Sequence, residues 1–184
     1  MLDVDCDIVG GDWDRRIDWR SLAFEAIARA MDGAGHGAAL RSDGVLLEVA
    51  VRLTDDAELQ RLNRDYRGCD RPTNILSFPM HAPHELPRQL DLDDRDILLG
   101  DLALAAETVA REAIERGIRL EDHVTHLLVH GTLHLLGHDH VQEAAAEAME
   151  ALETRILAGM GLADPYGGPS GDIAGRAMPA DEGR

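Results

Sequence analysis

Lysine is absent from this 184-residue sequence: all 18 basic residues are arginine, set against 35 aspartates and glutamates for a net charge of −17. That balance favours solubility and opposes nonspecific binding of a polyanion, so any role on nucleic acid needs a local basic patch. Also missing is an apolar run near the ~18–20 residues that span a bilayer. The N-terminus, MLDVDCD, is acidic where a signal peptide is basic and then apolar. A cytoplasmic protein with no membrane partner is therefore expected. Cysteine is scarce too. Cys6 and Cys69 lie far apart and form no paired metal spacing; they read as reduced thiols, leaving any metal to histidine. With 45% hydrophobic residues the chain can bury one core of ordinary size, which predicts a single domain over residues 1–162. The remainder, 163–184, is rich in glycine, proline and charge and reads as a disordered C-terminal tail.

Hydrophobic period and breakers divide the domain. VDCDIV (4–9) and VLLEVAVRL (45–53) alternate as strands do, and NILSF (74–78) and ILLGDLALA (97–105) are two more. DWRSLAFEAIARAM (18–31) has helical spacing behind an Asp18 N-cap, and Asp55 with Glu58 resembles a capping box opening a second helix. From about residue 105 the pattern is helical, with Gly117, Gly137 and Gly161 where each helix would stop. Alternating strands and helices followed by a run of helices predict one mixed sheet with helices packed on it.

Two stretches carry chemistry. RLNRDYRGCDRP (61–72) holds four arginines against two aspartates, net +2 in a chain that is otherwise −19. Such a run is ordinarily a solvated helix face. The second stretch is HGTLHLLGHDH (130–140), with four histidines and two glycines in eleven positions. His130 and His134, four apart on a helix, can direct their rings to one point as metal ligands must. His126 extends the row, but eight residues of helix put it ~12 Å from His134, too far for the same ion. Gly137 can end the helix and reverse the chain, returning His138 or His140 to complete a three-nitrogen site with an open position. His126 is then a candidate supporting group. His36, His81, His84 and His123 read as surface or locally hydrogen-bonded residues. The spacing of His130, His134 and His140 also coincides with that of H-E-x-x-H-x-x-G-x-x-H metallopeptidases, but Gly131 stands where their general-base glutamate would be.

Taken in order, YRGCDRPTNILSFP (66–79), LLGDLALA (98–105) and HGTLHLLGHDH (130–140) resemble the YbeY-type endoribonucleases, bacterial rRNA maturation factors, over roughly residues 45–160. The resemblance implies an α+β, zincin-like fold with a single mixed sheet and the metal site on a long helix. It implies one zinc ion per chain held by His130, His134 and His140, and Arg67 as the arginine needed for RNA cleavage. The activity it implies is single-strand-specific cleavage in small-subunit rRNA 3′-end maturation and ribosome quality control. Ribosomal RNA, the small ribosomal subunit or its proteins, and a ribosome-assembly GTPase are the partners it implies. Three departures stand out: His138 replaces a usual tyrosine, Cys69 and Arg71 replace common lysines, and the acidic loop 84–96 looks longer than usual. The rival readings are a noncatalytic, zinc-stabilised ribosome-assembly factor and a metallopeptidase.

Overall fold

The computed structural model describes residues 1–40, 45–82, 85, 95–138 and 143–167. His84, His140, most of the acidic loop and residues 168–184 lie outside the described residues.

The strands are β1 (Leu2–Ile8), β2 (Val45–Thr54), β3 (Ile75–Pro79) and β4 (Arg95–Ala105). They form one mixed sheet in the order β1-β2-β4-β3, in which β1, β2 and β4 run parallel and β3 pairs antiparallel with β4 as an edge. The helices among the described residues are α1 (Trp19–Met31), α2 (Gly37–Leu40), α3 (Asp56–Arg67), α4 (Ala106–Arg116), α5 (Leu120–Leu135) and α6 (Glu143–Gly159). A π-helical turn, Asp32–His36, joins α1 to α2 where hydrophobic periodicity predicts no element. No helix there is long and apolar enough to cross a membrane. Cys6 and Cys69 form no disulfide.

The caps work largely as expected. Asp18 accepts from the Ser21 backbone N–H at 3.1 Å, and Asp55 accepts from that of Glu58 at 2.8 Å. The reciprocal half of the second box is diverted: the Glu58 carboxylate accepts from the Thr54 hydroxyl at 2.5 Å instead of reaching back to Asp55. Gly117 closes α4 with φ +65°, a left-handed conformation that costs glycine little.

Two faces of the sheet are covered differently. β2 turns Val45, Leu47, Val49, Val51 and Leu53 into the main core, where α1, α5 and α6 pack. Toward β3 the opposite face is closed by α3, whose Leu59 and Leu62 meet Leu76, Phe78, Ala103 and Ala105. Keeping its leucines on the main core along its whole length requires β4 to change phase. Glu48 pairs with Leu98 and Val49 with Gly100, so Leu99 is an extra residue in a β-bulge. Before it β4 buries Ile97 and Leu99 on the main core; after it, Leu102 and Leu104. Gly100 makes the bulge possible at φ +142°, and a Cβ there would lie 2.2 Å from the Phe78 carbonyl oxygen and 3.0 Å from Leu135 Cδ2.

Gly100→Ala is accordingly expected to destabilise the fold by about 2 kcal/mol or more, from backbone strain together with overpacking. Urea unfolding measures it, and a variant as stable as wild type would mean the bulge relaxes at no cost.

Candidate metal centre

Helix α5 is buried on nearly every side. Val124, Leu127, Leu128, Val129, Leu133 and Leu135 fill the core, and the hydroxyls of Thr125 and Thr132 are satisfied by backbone carbonyls one turn back, at 2.8 and 2.7 Å. A helix so placed has no solvated face on which a polar row can be accommodated cheaply. Yet it carries His123, His126, His130 and His134 in such a row. His123 is fully buried and reaches Glu112 on α4 with Nε2 at 2.7 Å, and the Asn74 amide donates to the same carboxylate at 3.0 Å. His123 is thus held by local hydrogen bonding, as expected.

Two of the other three histidines, His126 and His130, meet a group that the motif did not indicate. Glu153 on α6 has no solvent exposure; its Oε1 lies 2.6 Å from His130 Nδ1 and its Oε2 3.3 Å from His126 Nε2. Burial alone would raise this carboxyl's pKa, but hydrogen bonds from His126 and His130 outweigh it and hold the group at about 2. An ionised carboxylate only accepts, so the proton of neutral His130 sits on Nδ1. The signal for Glu153 was in the sequence. Met149, Leu152, Ile156 and Leu157 form a buried stripe on α6 with a glutamate in its middle, and a carboxylate in that position has to be paired.

His134 is oriented differently. Gly137, at φ +87°, ends α5, and the His138 N–H donates back to the Leu133 carbonyl at 3.0 Å. The turn brings the His138 carbonyl to 3.0 Å from His134 Nδ1. A carbonyl also only accepts, so His134 too carries its proton on Nδ1. Both Nε2 atoms then present lone pairs, and they face each other at 3.1 Å. Two nitrogens ~2.0–2.1 Å from one ion in tetrahedral geometry lie ~3.3 Å apart. The donor set therefore fits a metal such as zinc, with each ligand's other nitrogen fixed by an acceptor as metal-ligating histidines require. Among the described residues no third ligand joins the pair, and His140 lies outside them. His138 contributes its carbonyl here, while burial lowers its half-buried ring's pKa. His126 is held beside Glu153, with its Nδ1 buried and lacking a partner among the described residues.

Arg67 is the last residue of α3, exposed, immediately before Gly68 with φ +68°. Buried Asn63 ties down the following turn by donating to the Arg71 carbonyl at 2.9 Å. The arginine run splits in two. Arg61 pairs with Glu58 and Asp65, and Arg64 with Asp65 and Asp70, whereas Arg67 and Arg71 have no side-chain partner among the described residues. Helices α3 and α5 pack on opposite faces of the sheet, and both reach its edge strand β3. No contact joins Arg67 to His130 or His134 among the described residues.

The family model described as Endoribonuclease YbeY matches residues 15–161. The chain belongs to the YbeY endoribonuclease family. It is 53% identical to Endoribonuclease YbeY of Sphingopyxis alaskensis, over 84% of this chain and 91% of that protein. The Rhizorhabdus wittichii protein of the same name is 51% identical over the same shares, and that of Zymomonas mobilis 42% identical over 90% of this chain and 93% of the relative. A solution structure of a Thermotoga maritima protein, 20% identical, aligns with a TM-score of 0.49 over 97% of this chain and 100% of that one.

In this YbeY family member Gly131 faces the sheet. A Cβ at residue 131 would sit 2.8 Å from both Ile75 Cδ1 and Leu102 Cδ2, so the glycine lets α5 lie close against β3 and β4. A peptidase glutamate at this position is therefore not merely absent; it has no room. Gly131→Glu is expected to lose more than about 3 kcal/mol of stability, from overpacking and an unpaired buried charge, and to gain no peptidase activity. Chemical denaturation and a casein assay check both, and a stable, casein-cleaving variant would contradict this packing.

Proposed function

We propose that the protein is a zinc-dependent, single-strand-specific endoribonuclease acting in small-subunit rRNA 3′-end maturation and ribosome quality control, on a zincin-like fold. The observation that carries this reading is the pair of Nε2 atoms facing at 3.1 Å, in a chain whose family is named for RNA cleavage. His130 and His134 hold the metal with His140 as the third ligand. When bound, zinc supplies positive charge that polarises a phosphate and lowers the pKa of a water towards ~7.

The remaining chemistry belongs to the chain's own groups. Glu153 and the His138 carbonyl fix the two rings, so neither has to reorganise when a ligand arrives. Arg67, without a competing carboxylate among the described residues, makes two parallel hydrogen bonds to a phosphate and stabilises charge that grows during cleavage. Arg71 follows a neighbouring phosphate, and Arg64 does so once released from exposed pairs that are worth little. Ribosomal RNA is the substrate, and the small subunit, its proteins and an assembly GTPase are the partners this reading implies. Work on RNA in a chain of net charge −17 makes the local arginines decisive for binding, and maturation of ribosomal RNA implies a cytoplasmic reaction. Its functional unit is one domain, over residues 1–162.

Zinc-loaded protein assayed against unstructured RNA, structured rRNA and casein separates this reading from its rivals. Cleavage of unstructured RNA supports it; rRNA binding without cleavage favours the assembly factor, and casein hydrolysis the peptidase. His134→Ala and His140→Ala are expected to lose stoichiometric zinc, while His138→Tyr keeps it, because the His138 backbone carbonyl survives the change. Zinc retained by His140→Ala and lost by His138→Tyr would reverse the ligand assignment. Arg67→Ala is expected to retain zinc and fold but to lose roughly a hundredfold or more in single-turnover cleavage. Arg67→Lys rescues little, since lysine lacks the planar fork, and Arg61→Ala matters far less. Equal rates for wild type and Arg67→Ala would remove Arg67 from the mechanism.

A further inference from the structure

Beyond α6 the chain turns at Gly161, φ +76°, and comes back along the helix. Asp164 fastens this return: its Oδ1 accepts from the Thr154 hydroxyl at 3.2 Å and from the Tyr166 backbone N–H at 2.9 Å. The turn places the half-buried Tyr166 ring edge-on against His126, with centroids 6.0 Å apart. Its phenol O–H donates to Glu153 Oε2. Composition alone assigns residue 166 to a tail with nothing to bury, yet it reaches a carboxylate that has no solvent contact.

We propose that Tyr166 is a positioning residue for the metal centre, holding the Glu153 carboxylate in the orientation from which it fixes the His130 ring. The inference rests on the proposed zinc site and deepens it. Glu153 Oε1 is used by His130 Nδ1 at 2.6 Å, whereas among the described residues the other oxygen has only a long contact from His126, at 3.3 Å, besides the phenol. Remove the phenol O–H and Oε2 is held by that long contact alone. The carboxylate is then free to turn about its last side-chain bond, taking Oε1 away from His130 and releasing the ring that presents Nε2 to the metal. The effect on His134 should be small, because its Nδ1 donates to the His138 carbonyl on another segment. The functional domain then extends through residue 166 instead of ending at 162.

The test uses the full-length chain as wild type, Tyr166→Phe and Glu153→Gln. Zinc affinity is measured by competition with a chromophoric chelator, the stability of the metal-free proteins by thermal unfolding, and the ring tautomers by ¹⁵N NMR of the histidines. Wild type is expected to bind one zinc. Tyr166→Phe, which keeps the ring and loses only the O–H, should bind one zinc roughly tenfold more weakly, with Glu153→Gln weaker still, by up to about a hundredfold. Its metal-free spectrum should show His130 losing the Nδ1-protonated form while His134 keeps it. Unchanged zinc affinity and an unchanged His130 signal in Tyr166→Phe would overturn the inference and leave the zinc site standing. Lowered thermal stability with unchanged zinc affinity would overturn it as well, assigning Tyr166 to structure alone. Wild type binding no zinc would remove the site and the inference together. Should Glu153→Gln fail to fold, Tyr166→Phe decides the question by itself.

Discussion

A carboxylate with no exposure to water has to be matched by donors, because an uncompensated buried charge costs about 3–5 kcal/mol. Glu153 is that carboxylate, and its donors are the histidines of the neighbouring helix and a tyrosine from the returning chain. The pairing works in both directions. It makes a buried charge tolerable between α5 and α6, and it removes from His126 and His130 the freedom to turn. His130 is 24% exposed along its side chain while Glu153 is wholly buried, so the network is anchored inside and opens outward at the His130 ring. The feature that would hold a metal is thereby built from the packing of two helices.

For that arrangement α5 must sit deep. Two glycines allow it, each for a steric reason. Gly131 admits the helix against Ile75 and Leu102, and Gly100 shifts β4 by one residue so that its leucines still face the helix past the bulge. A third, Gly137, reverses the chain and delivers the carbonyl that orients His134. The stretches LLGDLALA and HGTLHLLG are thus two sides of one contact, and the second carries the site because the first lets it approach.

Much of this was legible beforehand. The strands were readable to within two or three residues because their alternation is strict, and the glycine stops because left-handed termini favour glycine. The mixed sheet followed from element order. The π-helical turn over Asp32–His36 was not legible, since DGAGHG has neither periodicity nor a cap to mark it. The facing pair His130 and His134 was visible in the helical spacing. Its supports were harder to see: Glu153 is more than twenty residues away, and only the apolar stripe around it marks its burial. Tyr166 is hidden further, a single aromatic in a glycine- and proline-rich stretch whose average says nothing about one side chain. The split of the arginine run into paired Arg61 and Arg64 and an Arg67 with no side-chain partner among the described residues also depended on which carboxylates the fold brings near, which composition does not specify.

In the proposed site, hydrogen bonds at the two Nδ1 atoms preset the two Nε2 atoms as ligands for one ion. A crystal structure of the zinc-loaded protein, with anomalous differences collected at the zinc edge, tests it most directly. One peak is expected between His130 Nε2 and His134 Nε2, about 2.0–2.1 Å from each, with Glu153 still on His130 Nδ1 and the His138 carbonyl still on His134 Nδ1. A metal bound through either Nδ1, or a Glu153 that has left His130 to ligate the ion itself, would contradict it.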